Sequence, residues 1–392
     1  MIPFYLISRL HPWGLALFLI CFNTLFFFVS FKVLKKIFGG FISIAFLSLW
    51  SINSLMAGYD SIPWWPIFIP LGTICIWYVL YKIDQENLYL WWIVLGLTLG
   101  FFINMHFQYV LIIIFSVFYL MLLHRDTKKI SQKSLCLTMI SFTSLFLPLF
   151  IFDLRHNFLN IKFFFKFFFS NPDNIPPDFS AWWPVFSNVI QPFTYIKSSF
   201  INLIFYVAVF LTLISLILKK KGYFKRFYFS TFFLWVIFPF FFVKYGRRPS
   251  EYYFLFLYPS LILIIVELIS QTKNKVLIFS ICFILMLAIN AKGLSDNLRP
   301  LYSTLIYRDA LIKRLAKQTR NLRFNIGLTT PLGFNHGFNY LFDYYQIKQS
   351  GDYNDPLVQV IIPPRKDCTF QYGNMGVIIP PELKINKIRG YD

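Results

Sequence analysis

Three ionisable side chains of different types lie together where a long apolar run ends. The run continues through Phe152, and Asp153, Arg155 and His156 follow directly. Arginine can bind a phosphate through two parallel hydrogen bonds, histidine can share a proton with it, and aspartate can orient either residue or bind a metal ion. An anchor at the membrane interface would also explain these residues. We favour a substrate site, because three ionisable types follow an otherwise apolar segment.

Further polar residues lie between other apolar runs. His106 and Gln108 flank Phe107, and we expect them to line a substrate cavity, although hydrogen bonding at a helix end would explain them as well. Asp60 lies in the segment AGYDSIPWW. It could be an acid–base group or a metal ligand, or only a turn-forming residue.

A compact basic segment comes later in the chain. Lys244, Arg247 and Arg248 are followed by Tyr252 and Tyr253. Such a cluster suits the phosphate group of a lipid-linked donor, and binding to ordinary lipid headgroups is the alternative.

These candidates must be positioned by membrane-spanning helices. Of the 392 residues, 57% are hydrophobic and 14% are charged, and the mean hydropathy is +0.60, whereas soluble domains carry roughly 25% charged residues. Apolar runs long enough to span a bilayer predict about ten spans, and hence an all-α polytopic membrane protein. The predicted spans cover approximately residues 11–31, 41–58, 63–81, 88–104, 107–123, 135–152, 199–218, 227–243, 252–270 and 275–291.

The net charge of +20 does not indicate a nucleic-acid partner. Much of the lysine and arginine lies in alternate short loops between spans, and the positive-inside rule makes these loops cytoplasmic. The N-terminus, the candidate residues and everything after Ala291 are then external. We therefore expect a multi-pass protein of the plasma (inner) membrane whose candidate residues share the external face.

Two segments outside the predicted spans are expected to form structure of their own. The loop 153–198 is rich in Phe, Trp and Pro, and residues 161–169 predict an amphipathic helix in the membrane interface, with Lys162 and Lys166 on one face. After a transmembrane domain over residues 1–291, residues 292–392 predict a small α/β domain. Its expected elements are a helix over 308–323 and strands over 324–329, 358–362 and 376–379.

The five cysteines form no CxxC pair, and histidine is sparse. We interpret the cysteines as small buried hydrophobic residues. The sequence indicates no cofactor and leaves open a divalent metal ion.

Three stretches together resemble the membrane glycosyltransferases of the GT-C type, near the protein mannosyltransferase-like family 39. They are LGLTLGFFINMHFQYVLII at 95–113, LPLFIFDLRHNF at 147–158 and RRPSEYYFLFLYPSLILI at 247–264. The resemblance implies transfer of a sugar from a polyprenyl phosphate, with inversion, at the external face. It also implies that basic residues and tyrosines hold the lipid phosphate and that a carboxylate in the first external loop deprotonates the acceptor.

One departure from that family concerns the catalytic carboxylate. The family begins with one more span and an acidic first external loop, whose catalytic base has no counterpart in this sequence. We expect a truncated gene model, with a divergent or inactive member, or a role taken over by Asp60 or Asp153, as the alternatives.

The resulting hypothesis is an integral-membrane glycosyltransferase. Its partners would be a polyprenyl-phosphate sugar donor, membrane lipids and a glycan, lipid or protein acceptor. A transporter or flippase of lipid-linked substrates and a non-catalytic truncated homologue are the alternatives. A flippase would need internal repeats and polar residues deep inside several spans, and the sequence shows neither pattern. The predicted roles are as follows: catalytic, Asp60, Asp153 and His156; donor phosphate, Arg155, Lys244, Arg247, Arg248, Tyr252 and Tyr253; substrate cavity, His106 and Gln108.

Overall fold

The computed structural model describes most of the chain. The described residues are 2–61, 64–127, 130–169, 187, 189–191, 193–194, 196, 198–243, 251–298, 305–330 and 337–383. They form two compact units, one of Phe22–Ala291 and one of Met1–Cys21 with Lys292–Asp392.

Helices dominate the chain. The first nine are α1 (Ile2–Ile7), α2 (Trp13–Phe38), α3 (Gly40–Ile52), α4 (Ser54–Asp60), α5 (Phe68–Glu86), α6 (Tyr89–Met105), α7 (Val110–Thr127), α8 (Gln132–Arg155) and α9 (Leu159–Phe169). From Ser199 onwards, the helices are α10 (Ser199–Lys219), α11 (Gly222–Val243), α12 (Tyr258–Ser270), α13 (Lys275–Leu298), α14 (Leu305–Gln318) and α15 (Phe338–Tyr344). Short 3-10 turns cover Trp65–Ile67, Phe107–Tyr109 and Glu251–Phe254.

The predicted multi-span helical architecture is confirmed. Among the described residues, six helices are long and apolar enough to cross a membrane, and a seventh span results if α3 and α4 count as one broken span. The remaining predicted spans correspond to α6, α11 and α12. The helix predicted at residues 161–169 is α9.

Helices α6 and α8 pack closely against each other in the larger unit. A Cβ atom on Gly96 would lie 2.2 Å from the carbonyl oxygen of Thr138 and from Oγ of Ser141, and one on Gly100 would lie 2.9 Å from the Phe142 carbonyl oxygen. Two glycines four residues apart therefore allow the two backbones to approach, as small residues do in membrane helix pairs. This contact fixes the end of α6, where His106 follows.

An ion-pair network joins α5, α7 and α11. The Arg226 guanidinium lies 2.6 Å from Oδ2 of Asp84 and 3.1 Å from Oδ2 of Asp126. The hydroxyl of Tyr119 donates to the same Asp84 oxygen. Because Asp84 is buried, removing one partner would leave an uncompensated charge in a medium of low polarity. The network holds three helices together at the ends that carry the basic loops.

The break between α3 and α4 determines where Asp60 lies. The two helices meet at an angle of 77°, and buried Asn53 lies between them. Its Oδ1 accepts from the Met56 backbone, and its Nδ2 donates to the Phe193 carbonyl over 3.0 Å. Ser54 donates to Asn290 through both its backbone nitrogen and its hydroxyl. Side-chain amides thus satisfy the backbone groups that the break releases.

The smaller unit contains a four-stranded sheet. Its strands are β1 (Asn325–Thr329), β2 (Leu357–Ile361), β3 (Phe370–Tyr372) and β4 (Met375–Ile378), in the order β1-β2-β4-β3. The β1–β2 pair is parallel and the other pairs are antiparallel. The three strands predicted from the sequence correspond to β1, β2 and β4, and β3 was not predicted.

Helix α14 packs on this sheet through one apolar face. Leu311, Ile312 and Leu315 are fully buried, whereas Lys313 and Lys317 are exposed, as the 3.6-residue period requires. The N-terminal segment belongs to the same unit. His11 Nε2 lies 3.2 Å from Oδ1 of Asp309, and the Tyr340 hydroxyl donates to the Leu10 carbonyl.

Candidate functional site

The turn after α6 contains the first candidate residues. His106 has an extended backbone, and the Gln108 backbone nitrogen donates to its Nδ1 over 3.3 Å. This bond leaves the ring proton on Nε2. Burial lowers the pKa of His106 to about 4, so the imidazole is neutral near pH 7. It can therefore donate one hydrogen bond through Nε2 without carrying charge.

The 3-10 turn Glu251–Phe254 lies against this segment. The His106 ring is 5.9 Å from the Tyr252 ring and 5.6 Å from the Tyr253 ring, and the two tyrosine rings are 4.2 Å apart. The side chain of Gln108 is fully buried beside them. When its amide is oriented by its hydrogen bonds, its nitrogen donates to the Tyr253 and Tyr252 carbonyl oxygens over 2.7 and 3.0 Å.

A third segment reaches the same place. The Trp64 ring lies 4.7 Å from the Tyr252 ring. We call Trp64, His106, Tyr252 and Tyr253 the aromatic cluster. It unites the segments after α4, after α6 and before α12, which are far apart in the sequence. Flat apolar ring faces with polar edges can stack on a sugar ring and bind its hydroxyls.

Asp60 is the last residue of α4 and lies four residues before Trp64, so its Cα is within about 15 Å of the Trp64 Cα. The indole nitrogen of Trp50 donates to its Oδ2 over 3.2 Å. Asn23 Nδ2 donates to its backbone carbonyl over 3.0 Å. Oδ1 of Asp60 accepts no hydrogen bond from the described residues. The carboxylate is thus oriented by one bond and has an oxygen available to accept a proton.

Asp153 has a different environment. It is buried, with 2% of its surface exposed. Its Oδ1 accepts from the Asn160 backbone nitrogen over 2.9 Å, and its Oδ2 accepts from the Ile161 backbone nitrogen over 3.0 Å. Asp153 therefore binds the unpaired amides at the start of α9 and favours that helix end electrostatically. Sequence reasoning missed this role, although an Asp shortly before a new helix is the signal for it.

Arg155 and His156 are exposed at the end of α8. The His156 ring stacks on Phe152 at 3.9 Å, and its Nδ1 lies 2.7 Å from the Phe152 carbonyl oxygen. Arg155 makes no hydrogen bond or ion pair with the described residues. Within the described part of the chain, no contact joins Arg155 or His156 to the aromatic cluster. Their predicted roles stay predictions.

Lys244, Arg247 and Arg248 lie outside the described residues, as do Trp182 and Trp183 of the long loop. In the part of the chain that is described, no group of three or more His, Cys, Asp or Glu side chains could hold a metal ion.

The fold can be compared with a solved structure, ArnT from Cupriavidus metallidurans bound to undecaprenyl phosphate. The TM-score is 0.53 at 11% sequence identity, over 96% of this chain and 85% of that chain. At this identity the similarity establishes the fold alone, which is the GT-C fold with a small C-terminal sheet. No protein-family model and no curated protein matches the chain.

Proposed function

We propose that this chain is an integral-membrane glycosyltransferase that takes a sugar from a polyprenyl-phosphate donor. The observation that carries the proposal is the aromatic cluster, which three distant segments form in a GT-C fold and whose Trp64 follows Asp60 by four residues. The similar ArnT structure holds undecaprenyl phosphate, which supports a lipid phosphate as the donor's carrier. We propose further that the chain is related to the family 39 glycosyltransferases, which the three stretches at 95–113, 147–158 and 247–264 resemble.

In the proposed reaction, the aromatic cluster binds the donor sugar. Trp64 and Tyr252 offer ring faces, and neutral His106 offers one N–H to a sugar hydroxyl. Gln108 uses its amide to hold Tyr252 and Tyr253 in position, so it acts through those residues and not on the sugar. Rigid aromatic side chains lose little conformational freedom when a ligand binds.

Asp60 is the proposed general base. Its Oδ1 takes the proton of the acceptor hydroxyl while the acceptor oxygen forms a bond to the anomeric carbon. The bond from that carbon to the phosphate oxygen breaks, and the leaving polyprenyl phosphate keeps the electron pair. One direct displacement of this kind inverts the anomeric centre. Positioned general bases contribute typically about 10²–10⁴-fold to rate.

A leaving phosphate requires nearby positive charge. Arg155 is exposed and makes no ion pair with described residues, so it is available to a ligand. Lys244, Arg247 and Arg248 directly precede the turn that holds Tyr252 and Tyr253 in the sequence. We assign the donor phosphate to these four cations. Asp153 receives no catalytic role, because both of its oxygens are bound to the start of α9.

The membrane setting follows from the positive-inside rule. The basic loops indicate a cytoplasmic side, which leaves Asp60, His106 and both termini external in a plasma (inner) membrane. The acceptor is a hydroxyl-bearing glycan, lipid or protein.

Paired tryptophan variants test the proposal in vesicles that contain the full chain. Trp64 contacts Tyr252, whereas Trp65 stacks on Phe68 and is exposed. With a labelled polyprenyl-phosphate sugar, Trp64→Ala should weaken donor binding and transfer about tenfold, since stacking on an aromatic ring is worth about 1 kcal/mol or more. Trp65→Ala should change either by less than about twofold.

The same vesicles test the transport alternative. Release of labelled sugar into acceptor material supports the proposal. Movement of the intact donor across the bilayer without sugar transfer would contradict it and support a flippase.

A further inference from the structure

A groove of about 730 Å³ lies in the smaller unit, between the end of α14 and the residues that follow α15. Ligand pockets in proteins have volumes of about 300–1,000 Å³, so this groove could hold a ligand of one or two sugar rings. Its lining residues are Ala316, Thr319–Phe324 and Tyr345–Ser350.

All the charged side chains among the described lining residues of the groove are positive. Arg320, Arg323 and Lys348 line it and are exposed, and none of them makes an ion pair or hydrogen bond with the described residues. No acidic side chain is among the described residues that line it. Moreover, the sequence contains no Asp or Glu from residue 310 to residue 342. The cations are therefore free to bind an anionic ligand.

Neutral hydrogen-bonding groups lie between these cations. Asn321, Gln346 and Gln349 line the groove, and their side-chain amides make no hydrogen bond with the described residues. By contrast, the hydroxyls of Tyr345 and Ser350 are already donated, to Asp309 and Asp355. Three open amides can both donate to and accept from the hydroxyls of a sugar.

We propose that this groove binds a phosphate-bearing saccharide. Arg320, Arg323 and Lys348 would hold phosphate oxygens, and the three amides would hold ring hydroxyls. Arginine suits phosphate in particular, because its planar guanidinium donates two parallel hydrogen bonds. The inference goes beyond sugar transfer, since binding in this groove requires no reaction at Asp60.

The test uses the full chain in nanodiscs of phosphatidylcholine, a lipid without net charge. The probe is fructose 1,6-bisphosphate, and fructose is its uncharged counterpart. The groove variant Arg320→Ala/Arg323→Ala/Lys348→Ala removes three charges from the groove. The control Lys313→Ala/Lys317→Ala/Lys366→Ala removes the same number of exposed charges from outside it.

We expect saturable binding of the bisphosphate and none of fructose. The groove variant should bind the bisphosphate at least about tenfold more weakly than wild type, because it lacks the charge-assisted hydrogen bonds. The affinity of the control variant should fall by less than about twofold. Equal weakening in both variants would overturn the proposal, since it would reflect net charge alone. Unchanged binding in the groove variant would also overturn it.

A second variant separates binding from helix stability. Cations near a helix end also offset the helix dipole, so the groove variant could lose stability. Arg320→Lys/Arg323→Lys keeps both charges and loses the planar guanidinium. This variant should have the wild-type melting temperature and bind the bisphosphate several-fold more weakly than wild type. A lower melting temperature with unchanged binding would mean that these residues only stabilise the helix ends.

Lipid arms distinguish the source of the ligand. Phosphatidylinositol 4-phosphate carries a phosphorylated ring on a lipid, and phosphatidylglycerol is anionic without such a ring. If only phosphatidylinositol 4-phosphate displaces the bound probe, the result supports a lipid-attached saccharide. If neither lipid displaces the probe, the result supports a free saccharide. Equal displacement by both lipids at matched charge would overturn a saccharide site in favour of a general anionic surface.

Discussion

The indole nitrogen of Trp50 donates a hydrogen bond to Oδ2 of Asp60 over 3.2 Å. Oδ1 of Asp60 accepts none from the described residues, whereas both oxygens of Asp153 accept from backbone nitrogens. Two carboxylates that are equivalent candidates in the sequence thus differ in what they can do. Asp60 is oriented by one hydrogen bond and has one oxygen that can accept a proton, whereas both oxygens of Asp153 already accept hydrogen bonds.

Trp50 is a positioning residue for the proposed base. Trp50→Phe removes the donor and should lower kcat about tenfold or more with little change in KM, since a hydrogen bond to a charged group is worth about 1.5–3 kcal/mol. Steady-state transfer kinetics would check this. Trp77→Phe is the control, because Trp77 is equally buried and does not contact Asp60. Equal loss of kcat in both variants would show that Trp50 acts only through packing.

Asp153 should matter for stability and not for chemistry. Asp153→Ala frees two backbone amides at the start of α9 and should destabilise the protein by about 0.5–2 kcal/mol, as loss of a helix cap does. Thermal unfolding would measure this, and the kcat of the folded fraction should stay within about twofold of wild type, as for residues remote from the reaction. A fall in kcat of about two orders of magnitude at unchanged stability would show that Asp153 takes part in catalysis.

The lowered pKa of His106 predicts that the stability of the protein depends on pH. Its pKa in the folded chain is about 4, below the ordinary value near 6.5. The unfolded chain therefore binds a proton first as the pH falls, and the stability that neutral His106 contributes above pH 6.5 is lost progressively towards pH 4. Between pH 7 and pH 5, the apparent melting temperature of wild type should fall further than that of His106→Phe. Parallel decreases would contradict a half-buried imidazole that stays neutral.

The contact between α6 and α8 predicts a steric effect. Gly96→Ala would bring a Cβ atom to 2.2 Å from the Thr138 carbonyl oxygen, and overpacking of this kind costs about 1–3 kcal/mol. The variant should unfold at a lower temperature. Gly40→Ala is the control, because its Cβ would have nothing within 4 Å. Equal melting temperatures for the two variants would show that the helices can separate without cost.

Much of the fold could be predicted because it depends on local composition. A helix that spans a bilayer needs about 20 apolar residues, and the chain repeats such runs between basic loops. Strands β1, β2 and β4 were predicted from short apolar runs between Pro and Gly. Strand β3 has three residues, too few for any alternation to be visible. The association of the first 21 residues with the C-terminal unit depends on pairs such as His11 with Asp309, which no local pattern reveals.

The candidate site was predicted only in part, for a related reason. Residue type and a helix end were sufficient to select His106, Gln108, Tyr252 and Tyr253, and the structure brings these four together. Asp60 was selected, but its partner Trp50 depends on the break between α3 and α4. That break is stabilised by Asn290, which lies 236 positions from Ser54. Asp153 was selected for its charge, whereas its hydrogen bonds to the backbone amides at the start of α9 depend on the folded chain.

The variant Asp60→Asn tests whether Asp60 accepts the proton of the acceptor hydroxyl. The asparagine keeps the shape of the side chain and can still accept from Trp50, but it cannot act as a base. In vesicles with a labelled polyprenyl-phosphate sugar, kcat should fall about 10²-fold or more, while donor binding and melting temperature stay at wild-type values. Glu86→Gln, which neutralises an exposed carboxylate elsewhere, should keep its activity. Transfer by Asp60→Asn at the wild-type rate would exclude Asp60 as the general base.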